Sequence, residues 1–351
     1  MQMHLTIAVF FAVTVLIAFF EDYLKEIHKF SILAVYVAFM VLLATTKSIP
    51  NTSDALDYEH IFYNNDDPLL VIATEPTFIQ LSRIVLALGG SIVTVFFIYA
   101  IITIPAKMKM LYTMTPFVFT ALVIYIPVYF EVHDMIQIRA AAAATFLFFF
   151  IYYITQKRHF IATAMLICAF LFHYSSIVFL PFLFIGNRQL SKTGRIIVAG
   201  LVPFCFMMYL LKLDWFSLIP EPLWWGKLAI YKESTEKGEW MELSPLYKNL
   251  YYMAKCVVLY LCLYYYDTIV KNNPYAPIII NLFAISICFL SSMATIPVIG
   301  SRISDLFGII DCIAFTFCFY IITPRYIVRT GVTIAGLYML LYNMIYSEYF
   351  R

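Results

Sequence analysis

The stretch Glu131 to Ala143, EVHDMIQIRAAAA, carries two acids, a histidine and an arginine into an apolar run that continues from Ala144 to Thr155 without another charge. If that run is a membrane helix, Arg139 stands about one or two turns inside it. A guanidinium at such depth costs about 2.5–3.5 kcal/mol on insertion scales and rarely faces lipid. The position therefore demands an anionic partner. That partner is either a carboxylate, in a structural ion pair that locks helices together, or a bound anion in a functional site.

The rest of the chain agrees with a membrane reading. Its 351 residues are 63% hydrophobic and 13% charged, with a mean hydropathy of +0.86. No soluble domain of this size carries such a balance. The expected fold class is all-α, a polytopic integral membrane protein in a lipid bilayer, forming one helical domain over 1–351. The formal charge of +2 is scattered among span-flanking loops, so no nucleic acid partner is expected. Cys168, Cys205, Cys256, Cys262, Cys288, Cys312 and Cys318 lie in apolar stretches without a CxxC pair. They read as small buried side chains, with no disulfide, metal site or cofactor implied. The first apolar run, Met3 to Phe20, lacks a basic leader and a small-residue cleavage site, so it reads as a retained span.

Working outward from Arg139, basic flanks set the sides. Lys25 and Lys29 place the first turn in the cytoplasm, as do Lys107 and Lys109 after a span from Ser91 to Pro105. Segment 47–90 becomes an outer loop. Within it, Pro76 to Leu88 has Phe78, Leu81, Val85 and Leu88 on one stripe and Thr77, Gln80 and Arg83 on another. Proline opens this helix and Gly89-Gly90 closes it. At about 13 residues, 76–88 is too short to span and reads as interfacial. A fourth span, Leu111 to Phe130, returns outside at Glu131 to Asp134, and the Arg139 helix descends to Lys157 and Arg158.

The apolar segment 160–185 is long enough for one span, yet basic residues flank both ends, Lys157 and Arg158 before and Arg188, Lys192 and Arg195 after. A single span would export one cluster and invert every later loop. A re-entrant hairpin broken at Phe172-His173-Tyr174-Ser175-Ser176 keeps both inside. Non-helical backbone at that depth is tolerated only inside protein or beside a wet cavity, so a break there would mark a site. The loop 212–248 holds all four tryptophans, Trp215, Trp224, Trp225 and Trp240. They serve either as a headgroup belt or as a platform on which sugar rings stack. Arg302 and Asp305 stand three residues apart on one face of a later span. The count comes to about eleven spans.

The outer mouth of this plan collects Arg83, Arg139 and Arg302, His133 and His173, and the carboxylates Asp54, Asp57, Glu75, Asp134 and Asp305. Arginine forks suit phosphate oxygens, and three at one depth suit a pyrophosphate at the headgroup plane. A histidine or carboxylate could take a proton from an attacking hydroxyl. The chemistry implied is substitution with a lipid pyrophosphate as leaving group.

These residues resemble a family. Asp54-x3-Tyr58-x3-Phe62, then Glu75-Pro76-Thr77-Phe78, Arg139-x3-Ala143 opening an Ala-rich span, Phe172-His173-Tyr174-Ser175, and Arg302-Ile303-Ser304-Asp305 together resemble the EpsG branch of the Wzy-type bacterial polysaccharide polymerases. Thr77 stands where that pattern has glycine. The resemblance covers most of the chain. It implies a glycosyltransferase of the inner membrane that takes undecaprenyl-pyrophosphate-linked oligosaccharide repeat units on the periplasmic face. The growing chain passes to a new unit, as in O-antigen, capsule or exopolysaccharide synthesis, with a chain-length regulator as a further partner. On this reading Arg139 and Arg302, helped by Arg83, hold the pyrophosphates, and His173, or else Glu75 or Asp57, is the base. His133, Asp54, Tyr58, Asp305, Trp224 and Trp225 complete the expected substrate contacts. Two other classes stay open: a transporter or flippase for lipid-linked sugars, and a membrane acyltransferase acting on polysaccharide.

Overall fold

The computed structural model describes residues 2–46, 53–213 and 246–346, and every regular element among them is helical. The chain divides into two compact units, 1–186 with 322–351, and 187–321. Six described helices are long and apolar enough to cross a membrane, or up to eight if two bent pairs each count as one span. A total of about eleven is not reached by that measure, because several apolar segments are short or broken.

The first unit begins with two such helices, α1 (Gln2–Phe20) and α2 (Glu26–Thr46). The expected outer loop is largely helical: α3 (Ser53–Tyr63), α4 (Pro68–Ala73) and α5 (Pro76–Ala87) follow in quick succession. Asp67 caps α4 by accepting from the Leu69 amide at 2.8 Å, and Pro68 and Pro76 each open a helix, where a missing N–H costs nothing. The stop for α5 is Gly89, whose φ of +75° is the left-handed geometry that glycine adopts without strain. The expected interfacial element at 76–88 is thus a real helix of 12 residues, about 18 Å long.

Helix α6 (Ile92–Met114) continues through Pro105 to Met114, beyond the limit its basic residues suggest. After a short turn, α7 (Val118–Tyr125) passes into a π-helix, Ile126–Asp134. Helix α8 (Ile138–Thr155) then packs extensively on α9 (His159–Phe172). Ala140 to Ala144 on α8 and Ala162 and Ala169 on α9 are buried, and such small side chains let two backbones approach closely. At His173 the helix stops, with φ −157° and ψ 112°, and a 3-10 turn (Tyr174–Phe179) leads to α10 (Phe182–Ile185). The break falls at the expected residues.

One placement is corrected. Lys107 and Asp134, assigned by flanking charge to opposite sides of the membrane, form a buried ion pair with side chains 2% and 0% exposed. Tyr125 donates to the other Asp134 oxygen, and Thr103 completes the shell at 3.5 Å. Neither charge is a loop residue. The wide π turn brings Glu131, His133 and Asp134 into the protein interior, where Asn343 on α17 (Arg325–Tyr346) donates to both the Pro127 carbonyl and Glu131. Buried Glu21 caps α7 by accepting from the Phe119 and Thr120 amides, which favours an anion at that helix end.

The second unit contains α11 (Lys192–Leu210), α12 (Leu250–Tyr264), α13 (Tyr266–Asn272), α14 (Ala276–Ser292), α15 (Pro297–Gly308) and α16 (Asp311–Thr316). Helices α12 and α13 bend by 86°, and α15 and α16 with its 3-10 extension by 50°. Its buried polar centre is Lys255, which reaches Asp311 at 2.8 Å and Ser286 at 2.6 Å. Tyr251 also donates to Asp311, and Ser286 and Ser304 exchange hydrogen bonds with each other's carbonyls between α14 and α15.

Candidate functional site

Three ends of secondary structure meet in the first unit. Glu75 occupies the N-cap position of α5 in extended geometry, Arg139 is the second residue of α8, and His173 is the extended residue that terminates α9. Phe78, Tyr58 and Phe96, with Tyr99, Ile138 and Ala142, pack a buried floor beneath them, and Phe172 lies against it. Phe172 stacks on Phe146 with centroids 5.3 Å apart and meets Tyr99 edge-on at 5.8 Å. Thr77 donates its hydroxyl to the Leu171 carbonyl at 2.8 Å, which ties the start of α5 to the end of α9 and satisfies a carbonyl the broken helix leaves open.

Glu75 joins the three. Its Oε2 accepts from Arg139 Nη1, and its Oε1 lies 3.0 Å from His173 Nδ1. The Arg139 guanidinium sits over the Tyr58 ring, 5.1 Å from its centroid, and over Phe78 at 5.8 Å, so its faces are stacked while its edges remain for hydrogen bonds. The Glu75 side chain is only 4% exposed, whereas Arg139 is 22% and His173 18% exposed. The carboxylate is sealed in. Its two partners are partly exposed.

Electrostatics fix the protonation of the centre. Burial pushes the Glu75 carboxyl up, but the His173 hydrogen bond and the Arg139 charge outweigh it and lower its pKa to about 2. At neutral pH Glu75 is therefore an acceptor at both oxygens, and the hydrogen between it and His173 belongs to Nδ1. In the neutral imidazole the lone pair then sits on Nε2. The cluster can offer a guanidinium edge to an anion and an imidazole lone pair to a proton, side by side.

The remaining expected residues are distributed differently. Arg83 lies eight residues along α5 from Glu75, about 12 Å away along the axis, and donates to the Asn65 carbonyl at 2.9 Å with Asp66 at 3.5 Å. Asp54 is partly buried one turn before Tyr58, and Asp57 is exposed. His133 is buried in the π segment with its ring 5.6 Å from Tyr129. Arg302 and Asp305 belong to α15 of the second unit. Trp224 and Trp225 lie outside the described residues. Among the described residues no group of three or more His, Cys, Asp or Glu could hold a metal ion.

Fold and cluster together define an all-helical, polytopic membrane protein with an arginine and a histidine held on one sealed carboxylate. The EpsG family model matches residues 31–350, so the chain belongs to the EpsG family, a family of Wzy-type polysaccharide polymerase-like membrane proteins. No curated protein and no solved structure matches the chain.

Proposed function

We propose that the protein is a polysaccharide polymerase, a membrane glycosyltransferase that joins polyprenyl-pyrophosphate-linked oligosaccharide units at the outer face of a bacterial cytoplasmic membrane. The observation that carries this reading is the pairing of Arg139 and His173, both partly exposed, on the single carboxylate of Glu75. Arg139 retains guanidinium donors beyond the one given to Glu75, and these suit the diphosphate of a lipid-linked donor. Tyr58 and Phe78 hold the guanidinium plane rigid beneath that anion. Arg83, on the same helix that Glu75 caps, is a second cation for the donor.

The reaction follows from these positions. His173 Nε2 takes the proton of the acceptor hydroxyl as its oxygen bonds to the anomeric carbon of the donor. The bond from that carbon to the pyrophosphate oxygen breaks, and the electron pair leaves with the pyrophosphate. Arg139 stabilises the charge that develops there, and His173 then returns its proton to solvent or to the departing diphosphate. Membership in the EpsG family supports the same reaction class.

The test is to incubate purified protein with lipid-linked repeat units and resolve products by length. A ladder is expected from the wild type, with Arg139→Ala about 100- to 1,000-fold slower. Unchanged lipid would indicate a transporter, and an acylated unit an acyltransferase. Long chains built by stably folded Arg139→Ala would remove the anion assignment.

A further inference from the structure

We infer that Glu75 is a positioning residue whose two carboxylate oxygens set the tautomer of His173 and the orientation of Arg139 at once, so that base and anion site are usable only together. The inference rests on the reading of His173 as the base. Three facts lead to it. Glu75 is nearly inaccessible, so no acceptor hydroxyl can hand it a proton directly. Both of its oxygens are engaged, by groups from two other elements. Both of those groups are donors toward it: a guanidinium can only donate, and an imidazole facing an ionised carboxylate must donate from that nitrogen.

The two donors reach two different oxygens, which a carboxylate supplies and an amide, with a single acceptor atom, does not. In Glu75→Gln the side chain keeps its length but has one acceptor oxygen and one NH2. Arg139 has no alternative to donating, so it claims the oxygen. The NH2 then faces His173 Nδ1 and requires that nitrogen to be the acceptor. The proton moves to Nε2, the atom that should attack the acceptor's proton, and the base is lost although every helix stays in place. Removing Arg139 as well reverses the effect, because the amide oxygen can then rotate to accept from Nδ1–H.

Among the described residues, Glu75 is the group hydrogen-bonded to both Arg139 and His173. Tyr58 hydrogen-bonds the guanidinium and, with Phe78, stacks on it, and Thr77 donates to the Leu171 carbonyl. The Arg139 Nε is buried without a hydrogen-bond partner, and the guanidinium is held by Glu75, by a Tyr58 hydrogen bond and by stacking.

Nitrogen spectra of protein carrying 15N-labelled histidine, recorded at alkaline pH, test this directly. His173→Asn lacks one signal pair and thereby assigns it. The wild type should show protonated Nδ1 and unprotonated Nε2, Glu75→Gln the reverse, and the Glu75→Gln/Arg139→Met double variant the wild-type pattern again. Polymerisation by Glu75→Gln should fall about 100-fold or more, the usual contribution of a general base. Protonated Nε2 in the wild type overturns the inference even if no variant folds, and so does an unchanged tautomer in Glu75→Gln. The underlying reading fails separately. If His173→Asn still polymerises, the base assignment falls while the tautomer results stand.

Discussion

Buried Lys107 and Asp134 give the sharpest test of how this protein tolerates charge inside a membrane. Their side chains are 2% and 0% exposed and their charged atoms lie 2.5 Å apart. At an effective dielectric of 20 the attraction is about 6–7 kcal/mol, most of which offsets the cost of removing two ions from water. The net value of the pair is therefore small, but breaking it is expensive. Lys107→Met leaves a buried carboxylate held only by Tyr125 and Thr103, and Asp134→Asn leaves a buried ammonium near the Tyr125 ring at 5.9 Å. Each should destabilise the fold by about 3–5 kcal/mol. The double variant removes both charges, keeps an acceptor for Tyr125, and should lie within about 2 kcal/mol of wild type. Thermal unfolding in detergent, read as four apparent midpoints, closes the cycle. Because neither side chain reaches the surface, the double variant should also keep the proposed polymerising activity. A double variant less stable than either single one would show that the charges do not compensate each other. A stable but inactive one would mean that the pair takes part in function.

Acid should weaken the first unit through Glu75. Its pKa falls from the ordinary 4.5 to about 2 on folding, with burial opposing the His173 and Arg139 contributions, which corresponds to about 3 kcal/mol. That stability is fully present above pH 4.5 and is lost as pH falls towards 2, so the midpoint difference between wild type and Glu75→Gln should narrow over that window; a constant difference would contradict the pairing. Gly336→Ala on α17 would bring a Cβ within 2.5 Å of the Val123 carbonyl and 3.1 Å of Phe11. A loss of about 1–3 kcal/mol in unfolding measurements is expected, and an unchanged midpoint would mean that α17 does not sit that close to α7.

Much of the centre was legible in the sequence because its signals are local. Glu75-Pro76 is an extended residue before a helix-opening proline. Gly89 is a left-handed stop. Phe172 to Ser176 breaks an apolar run that flanking charges will not allow to cross once. Arg139 announced that it needed an anion, but not which one. That its partner is Glu75, 64 residues earlier, depends on how α5 meets α8, and no periodicity records this. The Lys107 error has a similar cause. The flank rule treats each basic residue as a boundary, yet Met108, Met110 and Leu111 continue the apolar pattern past it, and that run was the available sign that the helix had not ended. The π turn shifted Asp134 inward by a change in backbone winding that composition does not encode.

The clusters of buried charge can be told apart by where they sit on their helices. Lys107 and Lys255 project from the middle of α6 and α12, and with Asp134 and Asp311 they form closed pairs, at most 6% exposed. Each pair is further held by a tyrosine hydroxyl, Tyr125 in one and Tyr251 in the other. In the centre at Glu75 all three members stand at helix termini or breaks, where backbone groups lack helical partners. There the carboxylate is covered and its cation and imidazole are not. A pair that only joins helices gains nothing by exposing two donors, since solvent weakens the attraction it relies on. A site that must grip an anion and accept a proton requires that exposure, and also requires the shared carboxylate to stay hidden so that water does not compete for it. The pattern of exposure separates this centre from the structural pairs more firmly than the presence of charge does.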